Sequence, residues 1–217
     1  MSNTRALLSD CTALPAPDPE PGQRCFAELP ADIRERLHPH EAFLVSVFSC
    51  APYLARLAQR YPDVLRAAGQ DVFSSLLSKQ CAALARAGEN AADVATLDQQ
   101  IRQLKAAMHL TVGLADLGGV LDVVEVTAAV TDFADAAVQA VLHAHVRFAA
   151  QQGRCFPVDD PANPLPGLVI FALGKMGTRE LNYSSDIDLV VFYDAEGLRL
   201  PETEEPRKRL PRLVQAI

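Results

Sequence analysis

No uninterrupted apolar run in this 217-residue sequence is longer than Leu168–Leu173, far short of the ~20 residues a membrane-crossing helix needs. There is no basic excess either. Twenty Lys and Arg stand against 27 Asp and Glu, a net charge of −7, which argues against a general binder of nucleic-acid phosphates. No basic stretch followed by an apolar one marks the amino terminus, so no secretory signal is expected. These absences predict a soluble, cytoplasmic protein with neither membrane nor nucleic acid among its partners. The five cysteines, Cys11, Cys25, Cys50, Cys81 and Cys155, contain no CxxC pair. An odd, scattered set suits reduced, buried thiols better than a disulfide framework. Zinc is not expected from the histidines: His38 and His40 flank Pro39 in a helix-start turn. His143 and His145, two apart in a helical stretch, point in different directions.

What is present suffices for a core, with 49% apolar and 22% charged residues. Residues 1–40 read as a mobile, proline-rich tail, with Pro15, Pro17, Pro19, Pro21 and Pro30 and few large apolar side chains. Residues 41–152 read as a helical segment. Phe43, Leu44, Val47 and Phe48 share a face, Val94, Leu97, Ile101, Leu104 and Met108 recur at helical spacing, and so do Val126, Val130, Phe133, Ala137, Val141 and Phe148. A break is expected over Gly113–Gly119. These stripes are read as a bundle core, with Met108 and His109 as core and flank.

Residues 153–166 form a proline-rich linker, and the texture changes after it. Gly167–Ala172 is a short run rich in strand formers, Gly174-Lys-Met-Gly177 breaks it, Thr178–Leu181 can turn helically, and a second strand is expected over Asp186–Tyr193. On a strand Asp186 and Asp188 share a face, ~7 Å apart, with Ile187 turned into the core. Two such carboxylates suit divalent metals and phosphoryl chemistry. The turn glycines Gly174 and Gly177 allow close backbone approach to a phosphate, and Ser184 and Ser185 offer hydroxyl donors. A Walker loop is excluded, because six residues separate Gly167 from Gly174 and Met176 follows Lys175.

Strand, glycine turn and Asp-x-Asp form the layout of a nucleotidyltransferase site. Read as one word, Ala172-Leu-Gly-Lys-Met-Gly-Thr-Arg-Glu-Leu-Asn-Tyr-Ser-Ser-Asp-Ile-Asp-Leu-Val-Val-Phe-Tyr193 resembles the bacterial glutamine synthetase adenylyltransferase/deadenylylase family. The likeness is specific over about 22 residues and looser across 94–148. It implies that Asp186 and Asp188 are metal-binding carboxylates, and that Gly174, Lys175, Gly177, Ser184 and Ser185 form the phosphate side of the site. Mg²⁺ is the implied cofactor, with ATP, ADP and phosphate as substrates or products. Glutamine synthetase is the implied partner and a PII-type nitrogen signalling protein a further one.

The fold class expected is α plus α/β: an N-terminal helical segment followed by the first strands of a nucleotidyltransferase-type mixed sheet, over residues 167–217, incomplete. A third metal carboxylate is not in evidence. Asp194 lies ~20 Å along the strand from Asp188, and Glu196, Glu202, Glu204 and Glu205 fall in a polar loop. Leu210, Leu213, Val214 and Ile217 begin an apolar stripe that stops, so the sequence reads as an amino-terminal fragment, inactive by itself. In two-domain members of the family the amino-terminal half removes AMP by phosphorolysis, giving ADP. The resemblance therefore implies the deadenylylating role. The alternative is a non-catalytic interaction module with a vestigial metal pair.

Overall fold

The computed structural model describes residues 5–160, 162–194 and 197–198. Among the described residues nine α-helices come first: α1 (Leu7–Asp10), α2 (Glu20–Ala27), α3 (Ala31–Leu37), α4 (Glu41–Cys50), α5 (Pro52–Arg60), α6 (Pro62–Ala68), α7 (Phe73–Asn90), α8 (Val94–Leu117) and α9 (Val123–Gln151). They are followed by β1 (Leu168–Leu173), a single turn α10 (Gly174–Gly177) and β2 (Asp188–Tyr193). The chain divides into two compact units. One is built from residues up to Gln80 with Leu104–Val130, the other from Cys81–Gln103 with the chain from Thr131 onward.

In the first unit the expected mobile tail is replaced by folded chain. Helices α2 and α3 occupy most of 20–37 and bury Cys25, Phe26, Ile33 and Leu37. Three of the five prolines that suggested an extended tail are helix starts, and Pro15 and Pro17 lie in irregular chain. Pro19 and Pro30 are N-caps and Pro21 sits in the first turn of α2. There a proline costs no hydrogen bond, because the first helical N–H groups have no carbonyl partner. Pro52 and Pro62 open α5 and α6 in the same way, and His38–His40 forms the expected turn into α4.

Helix α2 lies hard against α4 at Gly22. A Cβ there would stand 2.1 Å from the Val45 carbonyl oxygen and 2.4 Å from Ser49 Oγ. The Gly22 N–H donates to that Ser49 hydroxyl at 3.0 Å. Phe43, Leu44, Val47 and Phe48 of α4 are all buried beneath this crossing.

The break expected over 113–119 falls at the end of that range. Helix α8 runs through Gly113 to Leu117, and Gly113 leaves room for the Leu54 side chain, 2.8 Å from where its Cβ would be. The chain turns at Gly118 and Gly119, the latter at φ +68°, a backbone conformation that glycine adopts without steric cost. Helix α9 then starts on a reciprocal cap, with Glu125 N–H donating to Asp122 Oδ1 and Asp122 N–H to Glu125 Oε2.

The second unit packs the later part of α9 against the end of α7 and the start of α8. Gly88 makes this possible, since a Cβ on it would lie 2.6 Å from the Ala140 carbonyl oxygen. Ala87, Ala91, Leu97 and Ala144 are buried together, whereas Val94, expected on the apolar stripe, is 47% exposed. Arg147 donates to the Ala91 carbonyl and lies over the Phe148 ring.

Strands β1 and β2 pair antiparallel, from Leu168 opposite Tyr193 to Leu173 opposite Asp188. Leu168 and Ile170 pack with Leu142, Val146, Cys155 and Leu165. Opposite residues of a pair share a face. The other face presents Val169, Phe171, Leu173 and Phe192, each about half exposed, with Phe171 and Phe192 in edge-to-face contact.

Three local expectations are corrected here. The short helix is Gly174–Gly177, not Thr178–Leu181, because Gly174 can take φ +54° directly at the strand end. Strand β2 begins at Asp188, not Asp186, since β1 ends at Leu173 and offers nothing further to pair with. Ile187, expected in the core, is 44% exposed for the same reason. The described strands form an antiparallel pair, consistent with the expected helical segment followed by part of a sheet.

All five cysteines are free thiols, and burial pushes Cys11 up to about 12 and Cys25 to about 11. Neither is a nucleophile near neutral pH. Among the described residues no single helix is long and apolar enough to cross a membrane.

Two predictions follow from the first unit's packing. Gly22→Ala forces a Cβ onto a backbone carbonyl that cannot step aside. It should cost about 1–3 kcal/mol in denaturant unfolding, the usual range for overpacking. His109 is buried and 2.8 Å from the Tyr53 hydroxyl through Nδ1, and burial lowers it from 6.5 to about 4, with Lys105 adding to the shift. The unfolded chain therefore takes up this proton first. Stability should be full above pH 6.5 and fall between pH 6.5 and 4, by on the order of 2–3 kcal/mol. His109→Asn, which cannot take up a proton there, should flatten that part of the stability–pH curve relative to wild type.

Candidate functional site

Everything the sequence singled out for chemistry lies between the end of β1 and the start of β2. The chain leaves β1 at Leu173 and reverses through Gly174 and the single turn of α10. Gly177 must be glycine because a Cβ on it would stand 2.5 Å from the Ala172 carbonyl oxygen. Met176, buried, anchors the turn from below. Thr178 N–H and its hydroxyl both donate to the Gly174 carbonyl, at 3.1 and 3.2 Å, and Glu180 N–H donates to the Lys175 carbonyl. With four residues, α10 supplies a backbone turn and a route for the chain. Lys175 projects from it into solvent.

Beyond the turn, Arg179 takes φ +62° and pairs with Asp132 on α9, Nη2 to Oδ1 at 2.6 Å. Two residues later Leu181 is buried, and its N–H donates to Thr131 Oγ1 at 3.4 Å. Asp135, one helical turn beyond Asp132, has its carboxyl raised by burial, an effect the Arg179 charge opposes.

Asn182 organises the next four residues. Its side-chain oxygen accepts from Ser184 N–H at 3.1 Å, from the Ser184 hydroxyl at 3.3 Å and from the Ser185 hydroxyl at 2.9 Å. Asn182 N–H donates in turn to Ser185 Oγ. Ser184 and Ser185, expected as donors beside the carboxylates, thus turn their hydroxyl protons inward to Asn182. Their lone pairs remain for other donors. Asn182 carried a legible signal, since Asn before a polar pair is a common side-chain-closed turn. Arg179, Asp132 and Thr131 carried none, because their pairing depends on how a helix some fifty residues upstream packs.

Asp186 and Asp188 follow, both exposed. Asp188 opens β2 opposite Leu173, and its Oδ2 lies 3.6 Å from where a Cβ on Gly174 would be. The bare glycine leaves space beside this carboxylate. Asp186 precedes the strand in unpaired chain. The turn glycines and Asp188 are therefore brought together, and Asp186 is carried two residues along the same chain.

Asp194 stands at the far end of β2, donating its N–H to the Gly167 carbonyl. Glu196, Glu202, Glu204, Glu205 and the stripe Leu210, Leu213, Val214 and Ile217 lie outside the described residues. Among the described residues no group of three or more His, Cys, Asp or Glu is placed to hold a metal. Asp186 and Asp188 remain two exposed oxygen donors. They fit a hard divalent cation that keeps other positions for water or substrate oxygens.

A family model described as glutamate-ammonia ligase adenylyltransferase matches residues 42–216. A bifunctional glutamine synthetase adenylyltransferase/adenylyl-removing enzyme of Caulobacter vibrioides is 40% identical over 222 residues, covering 100% of this chain and 22% of the relative. Proteins of the same description from a Bradyrhizobium species and from Xanthobacter autotrophicus are 41% and 43% identical, over 81% and 77% of this chain and 18% and 17% of theirs. The chain spans about a fifth of the length of these curated relatives. No solved structure matches.

Because Asn182 Oδ1 gathers three donors in an exposed turn, Asn182→Ala should open that turn locally and leave the fold intact. The Ser184 amide should exchange with solvent about five- to tenfold faster, the equivalent of one lost hydrogen bond, while the thermal unfolding midpoint stays within about 2 °C of wild type.

Proposed function

Since the chain belongs to the glutamate-ammonia ligase adenylyltransferase family, we propose that it supplies part of a nucleotidyltransferase site acting on glutamine synthetase. In this reading Asp186 and Asp188 are the metal ligands and Mg²⁺ the cation. Gly174, Lys175 and Gly177 form the phosphate side, with Ser184 and Ser185 shaping the approach. The observation that carries the reading is the seating of Asp188 beside Gly174 at the end of the β1–β2 pair. A carboxylate next to a glycine turn sets negative charge against backbone that carries no side chain. Bound Mg²⁺ would offset the charge of phosphoryl oxygens there.

The chemistry proposed is removal of AMP. A phosphate oxygen attacks the adenylyl phosphorus, the bond from phosphorus to the tyrosine oxygen breaks, the tyrosine regains its proton, and ADP leaves. The direction rests on the resemblance of this region to the amino-terminal, adenylyl-removing half of two-domain members. Transfer from ATP to tyrosine would need the same two carboxylates, so the pair itself does not set the direction. A PII-type signalling protein as regulator belongs to the same reading.

The test grafts these 217 residues into the Caulobacter relative in place of the segment they match. Incubated with adenylylated glutamine synthetase, Mg²⁺ and phosphate, the graft should release ADP. Asp186→Asn and Asp188→Asn should each lower that rate at least about a hundredfold, with circular dichroism unchanged because both side chains are exposed. ADP release that survives the double substitution would remove the metal assignment. No ADP, from a graft that still transfers AMP from ATP to unmodified synthetase, would reverse the direction.

A further inference from the structure

Arg179 occupies a backbone conformation that arginine has little reason to adopt. At φ +62° it follows the turn α10 where glycine or asparagine is the usual solution, and a β-carbon there is sterically disfavoured. What arginine supplies there and glycine does not is a side chain. That side chain reaches α9, where its guanidinium meets Asp132 Oδ1 at 2.6 Å. The buried Leu181 and its N–H contact with Thr131 Oγ1 make a second attachment to the same helix one residue away from Asp132.

We propose that Arg179 is a positioning residue: its pair with Asp132, together with the Leu181–Thr131 contact, fixes the connection 174–187 to α9 and so sets where Asp186 and Asp188 stand relative to Gly174. The route is short. Leu181 is followed by Asn182, whose side chain and N–H hold Ser184 and Ser185, and Ser185 precedes Asp186. Without the anchor, the stretch beyond the buried Met176 is held less firmly, by β2 and its own internal hydrogen bonds. Each residue then gains freedom just where the carboxylates leave the sheet. The ion pair itself is about half exposed, 53% and 46% at its two side chains, so it adds little to global stability. That is what separates a positioning role from a structural one.

This inference rests on the metal reading of Asp186 and Asp188, so the experiment has two readouts. On the 217-residue chain, amide exchange at Leu181 and Asn182 is followed by NMR, and Mn²⁺ affinity by titration. Arg179→Gly relieves the backbone while removing the pair, Asp132→Asn removes the pair alone, and Arg179→Asp with Asp132→Arg restores it reversed. The two single variants should exchange these amides about fivefold faster and bind Mn²⁺ about fivefold more weakly, at an unchanged thermal midpoint, the scale of one exposed pair. The reversed pair should recover both to within about twofold. Wild-type exchange in Arg179→Gly and Asp132→Asn would overturn the proposal. So would Mn²⁺ affinity that falls only in step with the thermal midpoint. If the wild-type chain binds no Mn²⁺, the metal reading fails and the exchange rates alone decide the anchor.

Discussion

The pairing of Leu173 with Asp188 is the constraint on which the site depends. It closes the connection 174–187 into a loop whose two ends lie side by side, so the glycine turn at one end and the first strand carboxylate at the other become neighbours. Every other feature of the region adjusts to that closure. Gly174 has no side chain because the chain leaves the strand there at φ +54°, and Gly177 has none because the turn must fold back under the Ala172 carbonyl. Asn182 gathers the serines because a loop this short needs internal acceptors.

Glycine plays a comparable part wherever two elements approach closely. Gly22 lets α2 touch the backbone of α4, and Gly88 lets α7 touch that of α9. In both places the contact is between main chains, so side-chain variation elsewhere on the helices leaves the spacing untouched. A helical protein poor in large aromatics gains rigidity this way, because backbone atoms have no rotamers to change.

The helical nature of residues 41–152 was legible from apolar spacing, and so were both strands to within two residues, since periodicity reports the buried face directly. The folded state of 20–37 was not. Proline is ambiguous between an extended tail and the first turn of a helix, and only the burial of Phe26 and Ile33 decides it. Gly113 was misleading for a related reason, because a glycine that admits a neighbouring leucine looks in sequence like one that breaks a helix. At the site, the residue types and their spacing were readable from Gly174 to Asp188. The direction of the serine hydroxyls and the pairing of Arg179 were not, because they depend on a side-chain acceptor nearby and on a distant helix.

The open face of the two-stranded sheet has a practical bearing on anyone who handles this chain. Val169, Phe171, Leu173 and Phe192 offer hydrocarbon to solvent in the folded state, in the manner that environment-sensitive dyes report as partial unfolding. Fluorescence from such a dye will start above the baseline of a chain whose sheet is covered, and that offset has to be subtracted before a midpoint is taken. Backbone spectroscopy, which is blind to that surface, will follow the helices instead.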